Sequence, residues 1–334
     1  MKSAKNSGAH KPPADIELRP VNPGVPVTVA PGQQLPHGTT SGYVGRFAPS
    51  PTGALHFGSL LAALASYLDA RASHGTWLLR MEDLDPSREP AGAAQQIIDT
   101  LESFGLLWDG PVVYQSSRLA EYQNTLAWLE QRGLTYACDC SRQRTRANNG
   151  IYDNHCRHRL TPPPADFAIR LRLPDIRICF DDRIQGAYQQ DLLSQCGDVV
   201  LRRRDGLIAY QLAVVVDDAW QGVTDVVRGF DLIDSTPRQI ALQQLLHCST
   251  PRYAHIPVAC NQQGQKLSKQ HFAKALAPDN TALYLREALN FLGQDMSGIR
   301  RLETTSSLLQ RAIERWDIQR VPKLANIPVE QQLG

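Results

Sequence analysis

Between Tyr43 and Gly75 the chain reads YVGRFAPSPTGALHFGSLLAALASYLDARASHG. Its first residues, YVGRFA, have the pattern of a short buried strand. From Leu60 onward the apolar residues Leu60, Leu61, Leu64, Tyr67 and Leu68 recur with a helical period, and Gly75 closes the run. Two prolines and two glycines lie between strand and helix. Pro49 and Pro51 fix φ and stiffen the turn, while Gly53 and Gly58 let a ligand approach the backbone. A loop of this kind stands beyond the carboxyl end of a strand, where open α/β sheets bind ligands. The helix N-terminus favours negative charge, and His56 can donate a hydrogen bond to a phosphate. The loop has neither a Walker pattern nor GxGxxG, and by itself it reads as well as a turn that caps a helix.

The neighbouring segments extend the pattern. TWLLRMEDLD predicts a second strand, and AGAAQQIIDTLESFGL a second helix that stops near Gly105. Strand, helix, strand, helix in this order predicts an α/β fold, with right-handed crossovers on a doubly wound, Rossmann-like parallel sheet. LIAYQLAVVVDDAW, Leu207–Trp220, reads as a further buried strand ending at Asp217–Asp218, because a near-continuous apolar run suits a parallel sheet's interior. After Gln270 two amphipathic helices are expected. One presents Ala282, Leu285, Leu289 and Leu292, the other Leu309, Ala312, Ile313 and Trp316. Residues 136–165 interrupt the α/β pattern with cysteines, arginines and a Pro-Pro-Pro run, as an inserted, loop-rich module would. The expected organisation is a tail over 1–42, a catalytic domain over 43–275 containing that insert, and a short helical region over 276–334. The tail carries seven of the 22 prolines and no aromatic residue, so it is expected to be disordered.

Bulk composition narrows the classes. At 334 residues the chain can bury a substantial core. A net charge of +2 argues neither for nor against a nucleic-acid partner. No apolar run approaches the roughly 20 residues that span a bilayer, and the N-terminus has no secretory apolar region. Seven cysteines in such a chain fit a reduced, cytoplasmic setting, with some thiols free and some on a metal. Oligomeric state is not legible, and a monomer is the simplest expectation.

Two further segments carry chemistry. NQQGQKLSKQ places Lys266 and Lys269 three apart around a small hydroxyl residue, a pattern that alone is ordinary solvated surface. Within the insert, Cys138, Cys140 and Cys156 bring three thiolates into a loop-rich stretch that can build only a small core. That suggests a structural zinc site. His155 and His158 are the chemically orthodox sources of a fourth ligand.

Together these stretches resemble the class I aminoacyl-tRNA synthetases. HFGS stands where that family has its HIGH motif, with Ser59 in the fourth position, and KLSKQ where it has KMSKS. The blocks RFAPSPTGALHFGS, RMEDLDPSRE, RRRDGLIAYQLAVVVDDAWQGVTDVVRGFDLIDSTPRQ and KLSKQ resemble the glutamyl branch over about residues 43–275. The resemblance implies attack of glutamate's α-carboxylate on the α-phosphate of ATP, with Mg²⁺ accompanying the nucleotide. It gives Pro49, Thr52, Gly53, His56, Gly58, Ser59 and Lys269 to ATP, with His56, Lys266 and Lys269 stabilising the charge that develops. It gives Arg46, Phe47, Ala48, Pro49, Ser50, Glu82, Tyr210 and Arg228 to glutamate. An arginine suits the side-chain carboxylate and Glu82 the α-ammonium. Asp225 and Asp231 offer Arg228 an alternative as a surface ion pair, and Asp83 and Asp85 read as structural or as orienting the arginines. The resemblance also favours Tyr152 as the fourth zinc ligand, through a Tyr-x-x-x-Cys spacing.

Only 65 residues follow Lys269, too few for the helical anticodon-binding region of a full glutamyl enzyme. That shortened form resembles the glutamyl-queuosine tRNA(Asp) synthetase family. The resemblance implies tRNA-independent activation of glutamate and its transfer to queuosine in the anticodon loop of tRNA(Asp). A single-stranded loop presents splayed nucleosides that need no second domain. Arg202, Arg203 and Arg204, or Arg142, Arg144 and Arg146, could contact its phosphates. The rival readings are a shortened glutamyl-tRNA synthetase acting on the acceptor end, a ligase using activated glutamate on another acceptor, and a binding module without catalysis.

Overall fold

The computed structural model describes residues 42–159, 161–266, 276, 278–298 and 303–329. The expected tail, Lys269 and the boundary at 275 lie outside the described residues.

The fold begins as the sequence predicts. Strand β1 (Val44–Phe47) leads through the Pro-Gly loop into helix α1 (Phe57–Ala72), then β2 (Thr76–Met81), α2 (Ala93–Ser103) and β3 (Val113–Tyr114). β1 pairs in parallel with β2, and β2 with β3. α1 is buried on most of its surface because it lies inside the molecule, between the sheet and the C-terminal helices. Leu60, Leu61, Leu64 and Leu68 are all in the core. Each such side chain contributes roughly 1.5–3 kcal/mol by leaving water.

The chain then leaves the parallel layer. Helix α3 (Leu119–Gln131) is followed by β4 (Thr135–Cys138), a short helix α4 (Arg142–Ala147) and β5 (Ala168–Leu171). Next come the hairpin β6 (Arg177–Asp182) and β7 (Gly186–Asp191), a single turn α5 (Leu192–Gln195), and β8 (Val200–Arg202). β4, β5 and β8 form an antiparallel sheet, and β6 pairs with β7 in an antiparallel hairpin. The sheet that carries the cysteine segment therefore reaches Arg202.

The return to the parallel layer differs from the sequence reading. Residues Tyr210–Trp220 form helix α6, not a strand. The apolar run is continuous because this helix is covered on nearly every side: Leu212, Ala213, Val214 and Val215 are all buried, as are Asp217 and Asp218. Its length of 11 residues is helical rather than strand-like. The next parallel strand is β9 (Asp225–Gly229), followed by α7 (Thr236–Leu245), β10 (Arg252–Ile256) and β11 (Val258–Cys260). β9 pairs in parallel with β10, and the Thr224 N–H just before it donates to the Val44 carbonyl at 2.9 Å, which seats β9 beside β1. The order β3-β2-β1-β9-β10 reverses direction between β1 and β9. In such sheets that crevice is where ligands bind.

Two expected amphipathic helices close the described chain, α8 (Thr281–Phe291) and α9 (Thr305–Arg315), before β12 (Asn326–Pro328) pairs with β11. Leu285, Leu289, Leu309 and Ala312 turn into the core, and α1 packs against both helices.

Candidate active site

The Pro-Gly loop opens over the β1/β9 crevice. The Glu82 N–H donates to the Pro49 carbonyl at 2.9 Å, and the Thr52 N–H to the Ser50 carbonyl at 2.8 Å. The loop is thus tied to the end of β2. Gly53 has φ of 132°, a conformation other residues rarely adopt. His56 caps α1: its Nδ1 accepts the Ser59 N–H at 3.3 Å, and its Nε2 lies 3.2 Å from the Ser59 hydroxyl. His56 and Ser59 therefore act as one unit at the helix N-terminus. Phe47 turns its side chain into the core. Its ring stacks on Trp77 in the core, with centroids 6.4 Å apart.

Behind the loop lies a lattice of arginines and carboxylates. Asp218 on α6 accepts from Arg46 Nε at 3.3 Å and from Arg80 on β2 at 2.8 Å. Arg80 also reaches Glu82 at 3.4 Å. Asp217 accepts from Arg118, Tyr122 and Gln115 at 2.7–2.8 Å. Burial raises the Asp218 carboxyl, but Arg46 and Arg80 outweigh it and hold it below the usual range. Glu82 goes the other way. Burial pushes it up to about 7, although Arg80 and Arg46 pull it down. Asp218 thus links Arg46 to Arg80, and Arg80 reaches on to Glu82. The sequence singled out the acidic pair, but not Arg80, whose place inside a buried strand gave no signal.

Across the crevice stands Arg228 on β9, buried to 4% exposure. It donates to the Tyr210 hydroxyl at 3.2 Å, the Thr236 hydroxyl at 2.8 Å, the Leu232 carbonyl at 3.4 Å and His255 Nε2 at 3.0 Å. Every one of these partners is uncharged. The alternative ion pairs do not form. Asp225 is taken by Arg183 and Arg252, and Asp231 by Lys266 at 2.6 Å. Thr236, His255 and Asp182, which backs His255, carried no sequence signal.

A cleft of ≈ 240 Å³ brings Ser50, Thr52, Glu82 and Tyr210 together with Gln115 and Arg203. A second hollow adjoins it, lined by Asp85, Ser87, Arg88, Arg142 and Arg203. Asp85 accepts from Ser87, Arg88 and Arg203. Of the two basic runs, only Arg142 and Arg203 face this hollow. Arg144 is clamped by Asp153, Arg204 bonds backbone carbonyls, and Arg202 lies over the Phe167 ring.

The second centre is in the module. The sulfurs of Cys138, Cys140 and Cys156 lie within 4.8 Å of one another and can hold a metal ion. The Tyr152 hydroxyl joins them, 3.3 Å from Cys138 Sγ and 3.7 Å from Cys140 Sγ. His155 and His158 are exposed and stand apart from the cluster. Arg170 donates to Cys138 Sγ at 3.2 Å and stacks 3.6 Å above the Tyr152 ring centroid. Gly197 lets the chain pass Tyr152: a Cβ there would come within 1.9 Å of the Tyr152 carbonyl oxygen, and φ is +66°.

Residues 43–321 match the family model of the class I tRNA synthetases (E and Q), catalytic domain. A glutamyl-Q tRNA(Asp) synthetase of Pseudomonas fluorescens is 50% identical over 297 residues, 88% of this chain and 98% of that one. One from Ectopseudomonas mendocina is 53% identical over 281 residues, 84% of this chain and 95% of that one. Among solved structures, a glutamate–tRNA synthetase of Elizabethkingia anophelis superposes with a TM-score of 0.71 at 23% identity. That match covers 87% of this chain and 69% of the other, and it bears on the fold alone. Matched by that family model over most of its length and identical to these relatives at about half of the aligned positions, the chain belongs to the class I tRNA synthetases for E and Q, and within them to the glutamyl-Q tRNA(Asp) synthetase family.

Proposed function

We propose that this protein activates L-glutamate with ATP and transfers the glutamyl group to the queuosine at the wobble position of tRNA(Asp). The observation that carries the reading is the pair of opposite demands across the crevice. Among the described residues Arg228 is a buried cation held by neutral groups, one of them the hydroxyl of Tyr210, and Glu82 is a buried carboxyl that lines the same cleft as Tyr210. An amino acid with two carboxylates and one ammonium satisfies both. Glutamine in place of glutamate would leave one guanidinium short of a counter-charge, which is costly in a buried site.

In the first step an oxygen of the α-carboxylate attacks the α-phosphorus of ATP. The bond to the bridging oxygen breaks and pyrophosphate leaves with its electrons. Positioning and charge stabilisation dominate such a transfer. His56, Ser59 and the N-terminus of α1 hold phosphate oxygens, and Lys266 and Lys269 meet the developing charge; Mg²⁺ enters with ATP. In the second step a cyclopentenediol hydroxyl of queuosine attacks the carbonyl carbon of the adenylate. AMP leaves with the bonding electrons, and the hydroxyl proton passes to solvent. The nucleoside enters the cleft beside Tyr210 and Gln115, while Arg142 and Arg203 in the adjoining hollow meet the backbone phosphates. A cytoplasmic monomer fits the reaction.

The module is read as a structural zinc site held by Cys138, Cys140, Cys156 and Tyr152. A tetrahedral zinc separates two thiolates by about 3.8 Å, and a thiolate from an oxygen by about 3.5 Å. The observed S···O distances of 3.3 and 3.7 Å, and 3.5 Å between the sulfurs of Cys140 and Cys156, fit that set. The ion would staple the module that positions Arg142.

The test is glutamate transfer in vitro. Labelled glutamate and ATP are supplied with tRNA(Asp) carrying either queuosine or guanosine at the wobble position. Each pool is prepared with and without its 3′-terminal adenosine. The expected result is label on queuosine-bearing tRNA whether or not the terminal adenosine is present. Label that depends on the terminal adenosine would show acceptor charging instead. Adenylate with no labelled tRNA would point to another acceptor.

A further inference from the structure

Buried arginines in this crevice come in two kinds. Arg46, Arg80 and Arg118 each touch a carboxylate of the protein, at 3.3, 2.8 and 2.7 Å. Arg228 touches none among the described residues, yet it is as deeply buried as Arg46. A carboxylate partner would have aimed Arg228 and cancelled its charge together. The acceptor found instead is an imidazole nitrogen, which aims the guanidinium and leaves the charge intact.

That acceptor works only in one tautomer. His255 Nε2 can accept from Arg228 Nε only when the ring proton sits on Nδ1. Asp182 enforces this: its Oδ2 lies 2.6 Å from His255 Nδ1 and takes that proton's hydrogen bond. The other carboxylate oxygen, Oδ1, accepts the backbone N–H groups of Ile184, Gln185 and His255 at 3.0, 2.9 and 3.1 Å. The Asp182 charge is therefore spread over three backbone donors and the ring, on the side of His255 away from Arg228. Both His255 and Asp182 are inaccessible to solvent at the side chain. The pair spans 73 residues of sequence and joins β6 to β10, a connection the parallel layer itself does not require.

We propose that Asp182 and His255 are positioning residues that hold Arg228 aimed and un-neutralised for a carboxylate of the substrate amino acid. The proposal rests on the reading that Arg228 takes that carboxylate. It predicts a defect confined to the amino acid. The nucleotide loop lies on β1 and α1 and touches neither residue.

The experiment is ATP–pyrophosphate exchange driven by glutamate without tRNA, with KM measured separately for glutamate and ATP. His255→Asn keeps a donor to Asp182 but removes the acceptor to Arg228. It should raise the glutamate KM about ten-fold or more, as losing a hydrogen bond to a charged group does, with the ATP KM within about two-fold. His255→Gln carries an amide oxygen out to the Nε2 position and should recover most of that loss. Asp182→Asn tests the relay from its far end in a variant of the same shape. An amide NH₂ facing Nδ1 moves the ring proton to Nε2, against the Arg228 N–H, and the same selective rise is expected. Parallel rises in both KM values, or lowered melting temperatures with an unchanged glutamate KM, would make the pair purely structural and overturn the proposal. Arg228→Ala separates the two layers. A wild-type glutamate KM in that variant would refute the reading of Arg228 itself, and the relay with it.

Discussion

The parallel layer and the cysteine module of this chain are held together by different means. Around β1, α1 and β2 the core is apolar and extensive, running from Tyr43 and Leu64 through Trp77 to Leu289 and Leu309. In the module the buried cluster consists of Tyr136, Cys138, Tyr152 and Cys156, with Cys140 partly buried against it. Around that cluster the contacts are polar. Asp198 accepts from Tyr136, from the Leu173 N–H and from Arg157, and Arg170 reaches both Cys138 and the Asp198 carbonyl. The first region follows from hydrophobic area. The second has too little of it; its order rests on satisfied polar groups and, on the proposed zinc reading, on ligation.

The largest effect should come from breaking that difference at the metal. Stripping the ion with a chelator, or replacing Cys138 by Ser, should abolish hydrogen-exchange protection across β4 and residues 151–157. Protection in β1, α1 and β2 should stay within a few-fold of its native value. Structural zinc supplies on the order of 10 kcal/mol in small metal-dependent domains, more than this module's own core can replace. Protection that survives in the module would show that its polar hub suffices. Next in size is the converse. Leu64 is fully buried in α1, and Leu64→Ala should lower global stability by about 2–5 kcal/mol in denaturant melts. Metal content per folded molecule should not change.

How much of this was legible in the sequence follows the same division. The strand–loop–helix start and the two C-terminal amphipathic helices are local patterns, and each appears where the sequence places it. The cysteines announced a cluster by their density. Helix α6 was misread because a run buried on every side has lost the polar face that would reveal a helical period. Arg80, Asp182, Thr236 and His255 were not seen at all. Their roles depend on neighbours far along the chain: Arg80 meets Asp218 across 138 residues and His255 meets Asp182 across 73. Such pairs exist only once the topology has brought the strands and helices together.

A finer comparison concerns how each region handles charge. In the module Arg170 lies against both Cys138 Sγ and the Tyr152 ring, where on the proposed zinc reading it offsets the negative charge of the ligands. Arg170→Met keeps the bulk and removes the cation. It should weaken zinc affinity about ten-fold in chelator competition, the lower end of what partners of metal ligands contribute. An unchanged affinity would confine Arg170 to packing.

In the crevice the corresponding test is a titration, and its effect is the smallest. Burial raises Glu82 to about 7, with Arg80 and Arg46 opposing that rise. Near neutral pH the free enzyme is then divided between a protonated Glu82 and an ionised one, and only the ionised form attracts an α-ammonium. Glutamate affinity should therefore rise as pH increases from 6 to 8, by something under ten-fold, as the ionised fraction climbs through about pH 7. Stability runs in the opposite sense. A carboxyl whose pKa is raised on folding stabilises the protein below about 4.5, and that contribution is lost as pH rises to about 7. Glu82→Gln should flatten both trends, leaving weak glutamate binding that no longer varies over this range. If the pH dependence of binding by isothermal titration calorimetry persists in that variant, another group titrates, and Glu82 is not the partner of the ammonium. If it disappears, Glu82 is the titrating group, its carboxyl raised by burial against the opposing pull of Arg80 and Arg46.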